Sequence, residues 1–356
     1  MTDSTIARLR LSAQKMVNSS FTKPEEVVGW LGAVQAQDFL GSLWAIGQRM
    51  KTATEADVEQ AIGDKKIVRT WPMRGTLHFV LPKDVRWMLK LLTPRIFTRA
   101  ATNYRQAGLD KKIFSKSRKL LEQALRDSEP LTRDEVYDVL ERAKISTADT
   151  RGLHITGYLA MEGVLCLGPR RGKQPTFTLL DQWIADSEAL SIDESLAELA
   201  TRYFTSHGPA TLADFVWWSG LAVKDATRAL DIVKSKLISE TITNRVYWMS
   251  NDLTPPKNNA RAVSLIPAYD EFLVGYKDRS HSINSNIESK VRNSIFSPAI
   301  INNGQVIGTW KRTIQKKEVS IDMIPYIKMD STQQKSIAKE AKRYSRFVGL
   351  SLVGKD

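Results

Sequence analysis

The stretch Ile67-Val68-Arg69-Thr70-Trp71-Pro72-Met73-Arg74-Gly75-Thr76-Leu77-His78-Phe79-Val80 decides how the chain is read. Its two ends are rich in β-branched and aromatic residues, and Pro72-Met73-Arg74-Gly75 between them supplies turn residues, so it reads as a β-hairpin. Helical patterns precede it. Thr22-Lys23-Pro24-Glu25 forms a capping box with Pro in the first turn and Phe21 as a staple, opening a helix through Val27, Val28, Trp30 and Leu31. Further short helices are expected over 42–49 and 54–62. Three helices followed by a hairpin is the order of a winged helix-turn-helix.

The same order returns twice. Leu131-Thr132-Arg133-Asp134-Glu135 opens a second capped helix, another is expected over 150–161, and 164–167 pairs with 177–180 around the basic tip Pro169-Arg170-Arg171-Gly172-Lys173-Gln174. A third set runs through 195–206, 211–219 and 223–237 to a hairpin of 238–242 with 245–249. The spacings are too irregular for a solenoid. After the turn-rich linker 251–259, short β-type runs follow over 262–267, 298–301, 306–311 and 318–324, with a hairpin turn at Asn302-Asn303-Gly304-Gln305. A last amphipathic helix is expected over 331–347, ending near Gly349. The expected fold class is therefore α+β: three tandem winged helix-turn-helix domains at 1–107, 108–190 and 191–255, then a C-terminal β-barrel-like domain with a terminal helix at 256–356.

Lys and Arg number 52 against 39 Asp and Glu in 356 residues, a formal charge of +13. Such an excess favours a polyanionic partner through phosphate contacts and counterion release, with nucleic acid the leading candidate. Cys166 lies in the apolar run Val164-Leu165-Cys166-Leu167 and reads as a small core hydrophobe. His78, His154, His207 and His281 are scattered without ligand spacing, so no metal or other cofactor is expected. No stretch has the length of a membrane span, and Met1-Thr2-Asp3-Ser4-Thr5 leads into no apolar signal core, which implies a cytoplasmic protein with no membrane partner; no obligate protein partner is inferred.

The chemistry is placed at Gln35-Ala36-Gln37, between two helical patterns. In an extended or irregular segment, residues two apart project to the same side. Two carboxamides could then converge on one water, each offering an acceptor oxygen and two N–H donors without charge. The same amides could instead cap the preceding helix.

With the repeated wings, four ordered stretches carry a resemblance to the winged-helix DNA glycosylases of the AlkZ and YcaQ type. They are Ala33-Val34-Gln35-Ala36-Gln37, the run from Arg69 to His78, Leu265-Ile266-Pro267-Ala268-Tyr269-Asp270-Glu271-Phe272 and its continuation to Arg279, and Gly308-Thr309-Trp310-Lys311-Arg312. The resemblance covers nearly the whole chain. It implies three winged helices and a β-barrel around a DNA channel. It also implies a catalytic motif of the form Gln-x-Gln, met by Gln35 and Gln37, where the other branch carries Gln-x-Asp; Asp38 comes one position too late to substitute. Members are linked to N7-alkylpurines, bulky adducts and interstrand crosslinks.

N7 alkylation leaves a positive charge on the base, which weakens its glycosidic bond, so a metal-free, monofunctional glycosylase needs chiefly a positioned water and oriented dipoles. Gln37 is assigned the attacking water, and Gln35 the water or the deoxyribose. A bulky crosslinked base that cannot flip fully into a pocket would call for an open cleft. The expected partner is double-stranded DNA carrying alkylated bases. Arg170, Arg171 and Lys173 on the second wing, and Lys311 and Arg312 near the chain's last hairpin, are candidate phosphate contacts. Arg69, Arg74 and His78 beside the first wing read as DNA contacts or pocket supports, although the alternation over 76–80 also suits a core histidine.

Two rivals stand beside this reading. A non-enzymatic winged-helix DNA-binding protein or transcriptional regulator would use the helix over 223–237 in a major groove. A metal-dependent nuclease would use Asp270, Glu271 and Asp278, with Lys277 beside them.

Overall fold

The structure, a computed structural model, describes residues 3–185, 189–256, 263–291 and 296–353. The described chain forms two units. One comprises residues 1–58, 196–218 and 222–356, the other 59–195 and 219–221. The units cut across the four sequential segments, because the pairing that builds them joins parts far apart in the chain.

In the second unit the first hairpin forms as the turn chemistry predicts, from strands Val68–Met73 and Thr76–Val80. Arg74 and Gly75 have φ of +55° and +72°, positive at both central positions as the tight right-twisting hairpin turn requires. The ladder shifts between Thr70 and Met73, where Pro72 has no N–H to donate. The second wing, Leu165–Arg171 with Gln174–Leu179, pairs with the first through Arg69 and Leu167. The two hairpins therefore share one sheet, ordered within this unit from Thr76–Val80 through Val68–Met73, Leu165–Arg171 and Gln174–Leu179 to Leu131–Thr132. Helices Arg133–Arg142 and Arg151–Met161 cover it, with Val136, Leu140, Ile155 and Leu159 in the core. The capping box at Thr132 is present, its N–H donating to Glu135 at 2.6 Å.

Two long helices in this unit escaped the sequence scheme: Pro82–Gln106, which continues past an internal Pro94, and Lys111–Leu125. Neither fits a helix-helix-hairpin repeat, and the first crosses a residue that normally ends a helix.

In the first unit the box beside Pro24 uses Glu26 rather than Glu25. Glu26 accepts the N–H groups of Thr22 at 2.8 Å and Lys23 at 2.9 Å and opens helix Pro24–Leu31. The helix expected over 42–49 is Phe39–Gly47, that over 54–62 is Glu55–Gly63, and that over 223–237 stops at Val233 and tightens into a short turn at Lys234–Lys236. Helix Asp3–Ala13, also unforeseen, is locked to the third segment by Arg10, whose Nε donates to Pro209 O at 3.0 Å and whose guanidinium lies 3.7 Å from Asp214.

The C-terminal sheet orders Val263–Ile266, Ala299–Asn302, Gln305–Ile314, Glu318–Pro325 and Ser351–Val353. Among the described residues it is an open sheet with two edges rather than a closed barrel. The linker's end, 257–259, lies outside those residues. Helix Ser331–Val348 ends at the left-handed Gly349 and brings Tyr344 and Phe347 against Trp44 and Trp310. Trp44 donates to Leu265 O at 2.6 Å, which pins the helix Phe39–Gly47 to the C-terminal sheet, and within that sheet Trp310 donates to Ile266 O at 2.8 Å. No helix among the described residues is long and apolar enough to cross a membrane.

Candidate active site

The Gln pair sits where a helix is stopped and another is started. Helix Pro24–Leu31 ends at Gly32, whose φ of +80° suits glycine, and the chain then extends through the short strand Val34–Gln35. Ala36 is fully buried, Gln35 half-buried and Gln37 exposed. Exposure thus alternates over the three residues, with the Ala36 methyl group buried between two more exposed glutamines.

Asp38 fixes the far side of the motif. Its carboxylate caps helix Phe39–Gly47 by accepting Gly41 N–H at 3.1 Å, and it pairs with the Arg312 guanidinium at 3.1 and 3.2 Å. Gly41 is required for that approach, because a Cβ there would fall 2.3 Å from Asp38 Oδ2. Of the residues expected to serve the site, Arg312 is thus brought beside Gln37, through Asp38. Lys311 points the other way along its strand and is exposed, opposite Asp322.

The near side is held by a buried polar network. Glu271 Oε1 accepts the Gln35 N–H at 3.1 Å. Its Oε2 accepts Trp218 Nε1–H at 2.9 Å and faces His207 Nε2 at 3.4 Å. Burial among Tyr203, Trp218 and Tyr276 drives the His207 pKa below its ordinary value, against the raising effect of Glu271, and so favours the uncharged ring. Asp270 caps the helix Glu271–Val274 and takes the Arg49 guanidinium on both oxygens, at 2.7 and 2.9 Å, with Gln48 Nε2 at 3.0 Å. Gln14 completes the cluster, accepting from Arg49 and donating to Glu271 O and Tyr276 Oη.

None of His207, Trp218, Glu271 or Arg49 was expected to support Gln35. Their sequence neighbourhoods are ordinary, and only the Asp270-Glu271 pair lay within a stretch singled out for its resemblance. The carboxylates of the metal-nuclease reading face different partners: Asp270 meets Arg49, Glu271 meets Gln35 and Trp218, and Asp278 meets Arg245. Among the described residues no group of His, Cys, Asp or Glu is gathered to hold a metal ion.

The remaining basic candidates lie in the second unit. Arg69 is nearly buried within its sheet, between Phe79 and Leu167. His78 is fully buried. An arginine only donates, so Arg74 Nη2 donates to His78 Nε2 at 3.1 Å, and His78 Nδ1–H then donates to Thr76 O at 2.9 Å. His78 is a neutral ring that orients Arg74. Arg170 pairs with Glu59, and Arg171 with Glu135 at 2.8 Å, while Lys173 is exposed at the turn of the wing with Gly172.

The chain is similar to known proteins over nearly its whole length. The family model described as DNA glycosylase AlkZ-like matches residues 28–347. The chain is 25% identical over 364 residues to a protein of Streptomyces sahachiroi called an interstrand DNA cross-link repair glycosylase, covering 96% of this chain and 95% of that one. The solved structure of Streptomyces sahachiroi DNA glycosylase AlkZ shares its fold, with a TM-score of 0.80 at 23% identity over 100% of both chains.

Proposed function

The chain belongs to the AlkZ-like DNA glycosylase family, and from that premise we propose that it hydrolyses the N-glycosidic bond of N7-alkylated purines in double-stranded DNA, including bulky adducts and interstrand crosslinks. The observation that carries this reading is the Gln35-Ala36-Gln37 stretch between two helices, with Ala36 buried, Gln35 and Gln37 more exposed, and its ends held by the carboxylates of Glu271 and Asp38. The crosslink part draws on the name of the Streptomyces sahachiroi relative.

In this reading Gln37, the more exposed of the pair, orients the attacking water, and Gln35 contacts the water or the deoxyribose. The departing base already carries positive charge, so no strong acid is required. Fixed amide dipoles beside the sugar stabilise its oxocarbenium character, a contribution of orientation and electrostatic preorganisation. The nucleophile is water and no amine attacks the sugar, so the product is an intact abasic site. The enzyme acts in the cytoplasm and needs no metal.

Phosphate contacts fall to Lys173, Lys311, Arg74, Arg170, Arg171 and Arg312, with Arg69 and His78 in support. Arg170, Arg171 and Arg312 first exchange a carboxylate partner for phosphate, which makes them tuning contacts rather than primary anchors. The hairpins are the wings of three tandem winged helices.

The test is base release from duplex DNA carrying one N7-methylguanine or one N7–N7 crosslink, in excess chelator, with Gln35→Ala and Gln37→Ala beside the native protein. Abasic sites formed by the native protein and lost in either variant are expected. Salt-sensitive DNA binding without release from either duplex would overturn the reading in favour of a non-enzymatic binder.

A further inference from the structure

Each carboxylate oxygen of Glu271 meets a group that can only donate, with His207 Nε2 also 3.4 Å from the second. Gln35 N–H meets one at 3.1 Å and Trp218 Nε1–H meets the other at 2.9 Å, in a side chain 1% exposed. The residue before it, Asp270, is clamped by Arg49, and Arg49 follows the C-terminal end of the helix Phe39–Gly47 that starts just past Gln37. The chain thus closes a circuit: Gln35 to Glu271, Asp270 to Arg49, and back along the helix to Asp38 and Gln37. A segment tied at both ends to the same two consecutive carboxylates has little freedom to shift its two carboxamides relative to each other.

We propose that Glu271 is the positioning residue of the Gln pair, acting through the Gln35 backbone and requiring an acceptor at both ends of its side chain. This rests on the reading of Gln35 and Gln37 as catalytic. The chemistry separates it from simple space filling. Glutamine has the same size, but its NH₂ must face either Gln35 N–H or Trp218 Nε1–H, and neither can accept. The conflict displaces the side chain and with it the strand that carries Gln35.

The experiment compares single-turnover base release, affinity for undamaged duplex and melting temperature in Glu271→Gln, Glu271→Gln with Trp218→Phe, and Val319→Ala, a core truncation in the C-terminal sheet. Glu271→Gln is expected to slow release roughly 10- to 100-fold, the scale at which about an ångström of misplacement costs rate, with duplex affinity within about twofold. Val319→Ala is expected to lower the melting temperature without slowing release. In the double variant the Trp donor is gone, so the amide can turn its NH₂ to that side and its oxygen to Gln35. His207 accommodates this by presenting an unprotonated Nε2, with its Nδ1–H on Ser206 Oγ at 2.8 Å. The double variant is expected to regain most of the rate while melting lower still.

A structural role alone predicts the opposite order, with release falling as stability falls, and that result would overturn the proposal. Glu271→Gln releasing base at the native rate while Gln35→Ala does not would overturn it and leave the Gln-pair reading intact. Native and Gln35→Ala proteins releasing base equally would remove the Gln-pair reading and this inference together. Hydrogen exchange at the Gln35 amide gives a readout free of activity and of the double variant's folding: faster exchange in Glu271→Gln supports the anchor, and unchanged exchange refutes it.

Discussion

Arg49→Met tests the network beneath the Gln pair most directly. The guanidinium is fully buried and donates to Gln14 O at 3.1 Å, Ala45 O at 2.8 Å, Gln14 Oε1 at 2.8 Å and both oxygens of Asp270. Methionine fills much of the same volume without a donor. Removing one partner of a buried ion pair costs about 3–5 kcal/mol, because the other charge stays desolvated. Asp270 would keep Gln48 Nε2 and Phe272 N–H, which places the expected loss near the lower end, about 3 kcal/mol. For a folded unit of this size that corresponds to a melting temperature lower by roughly 6–12 °C.

The informative partner is the double variant Arg49→Met with Asp270→Leu. It removes the orphaned carboxylate at the further cost of a helix cap, about 1 kcal/mol. If the loss in the single variant is the uncompensated charge, the double variant is no less stable than the single. Urea unfolding followed by tryptophan fluorescence, with calorimetry alongside, reads both. A single variant costing less than about 1 kcal/mol, or two costs that add, would refute the assignment of Arg49 and Asp270 as a coupled buried pair.

Gly47→Ala is expected to destabilise by about 1–3 kcal/mol despite the better helix propensity of alanine, because its Cβ would fall 2.3 Å from Phe347 Cε2; Phe347→Leu in the same chain should recover part of the loss, and thermal melts of the three variants decide it. Acidification should weaken the fold through His207. Its folded pKa is depressed by burial, so below about pH 6.5 the unfolded chain takes up a proton that the folded chain refuses, and stability falls as pH drops through that value. Denaturant midpoints between pH 7.5 and 5.5 should fall less steeply in His207→Gln than in the native protein.

Much of the fold was legible along the chain because its signals are local. The hairpin Thr76–Val80 with its Arg74-Gly75 turn, the Thr132 capping box, the Asn303-Gly304 turn and the Gly349 helix stop each follow from a few neighbouring residues. The break between the helices Pro24–Leu31 and Phe39–Gly47, where Gln35 and Gln37 lie, was legible for the same reason. The helices Pro82–Gln106 and Lys111–Leu125 were not: neither fits the expected repeat of helices and a hairpin, and the first runs past Pro94, a residue that normally ends a helix.

The sequence alone thus determined most of the hairpins and capped helices and the basic character of the chain. Tertiary structure decided which strands share a sheet, as Arg69 beside Leu167 shows, and that His78 turns inward to serve Arg74. It also decided that Glu271, 236 residues from Gln35, is the acceptor for the strand that carries the motif. Local propensity acts over a turn or a hairpin. A buried carboxylate finds its donors only when chain closure has excluded water, and no spacing in the sequence records that event.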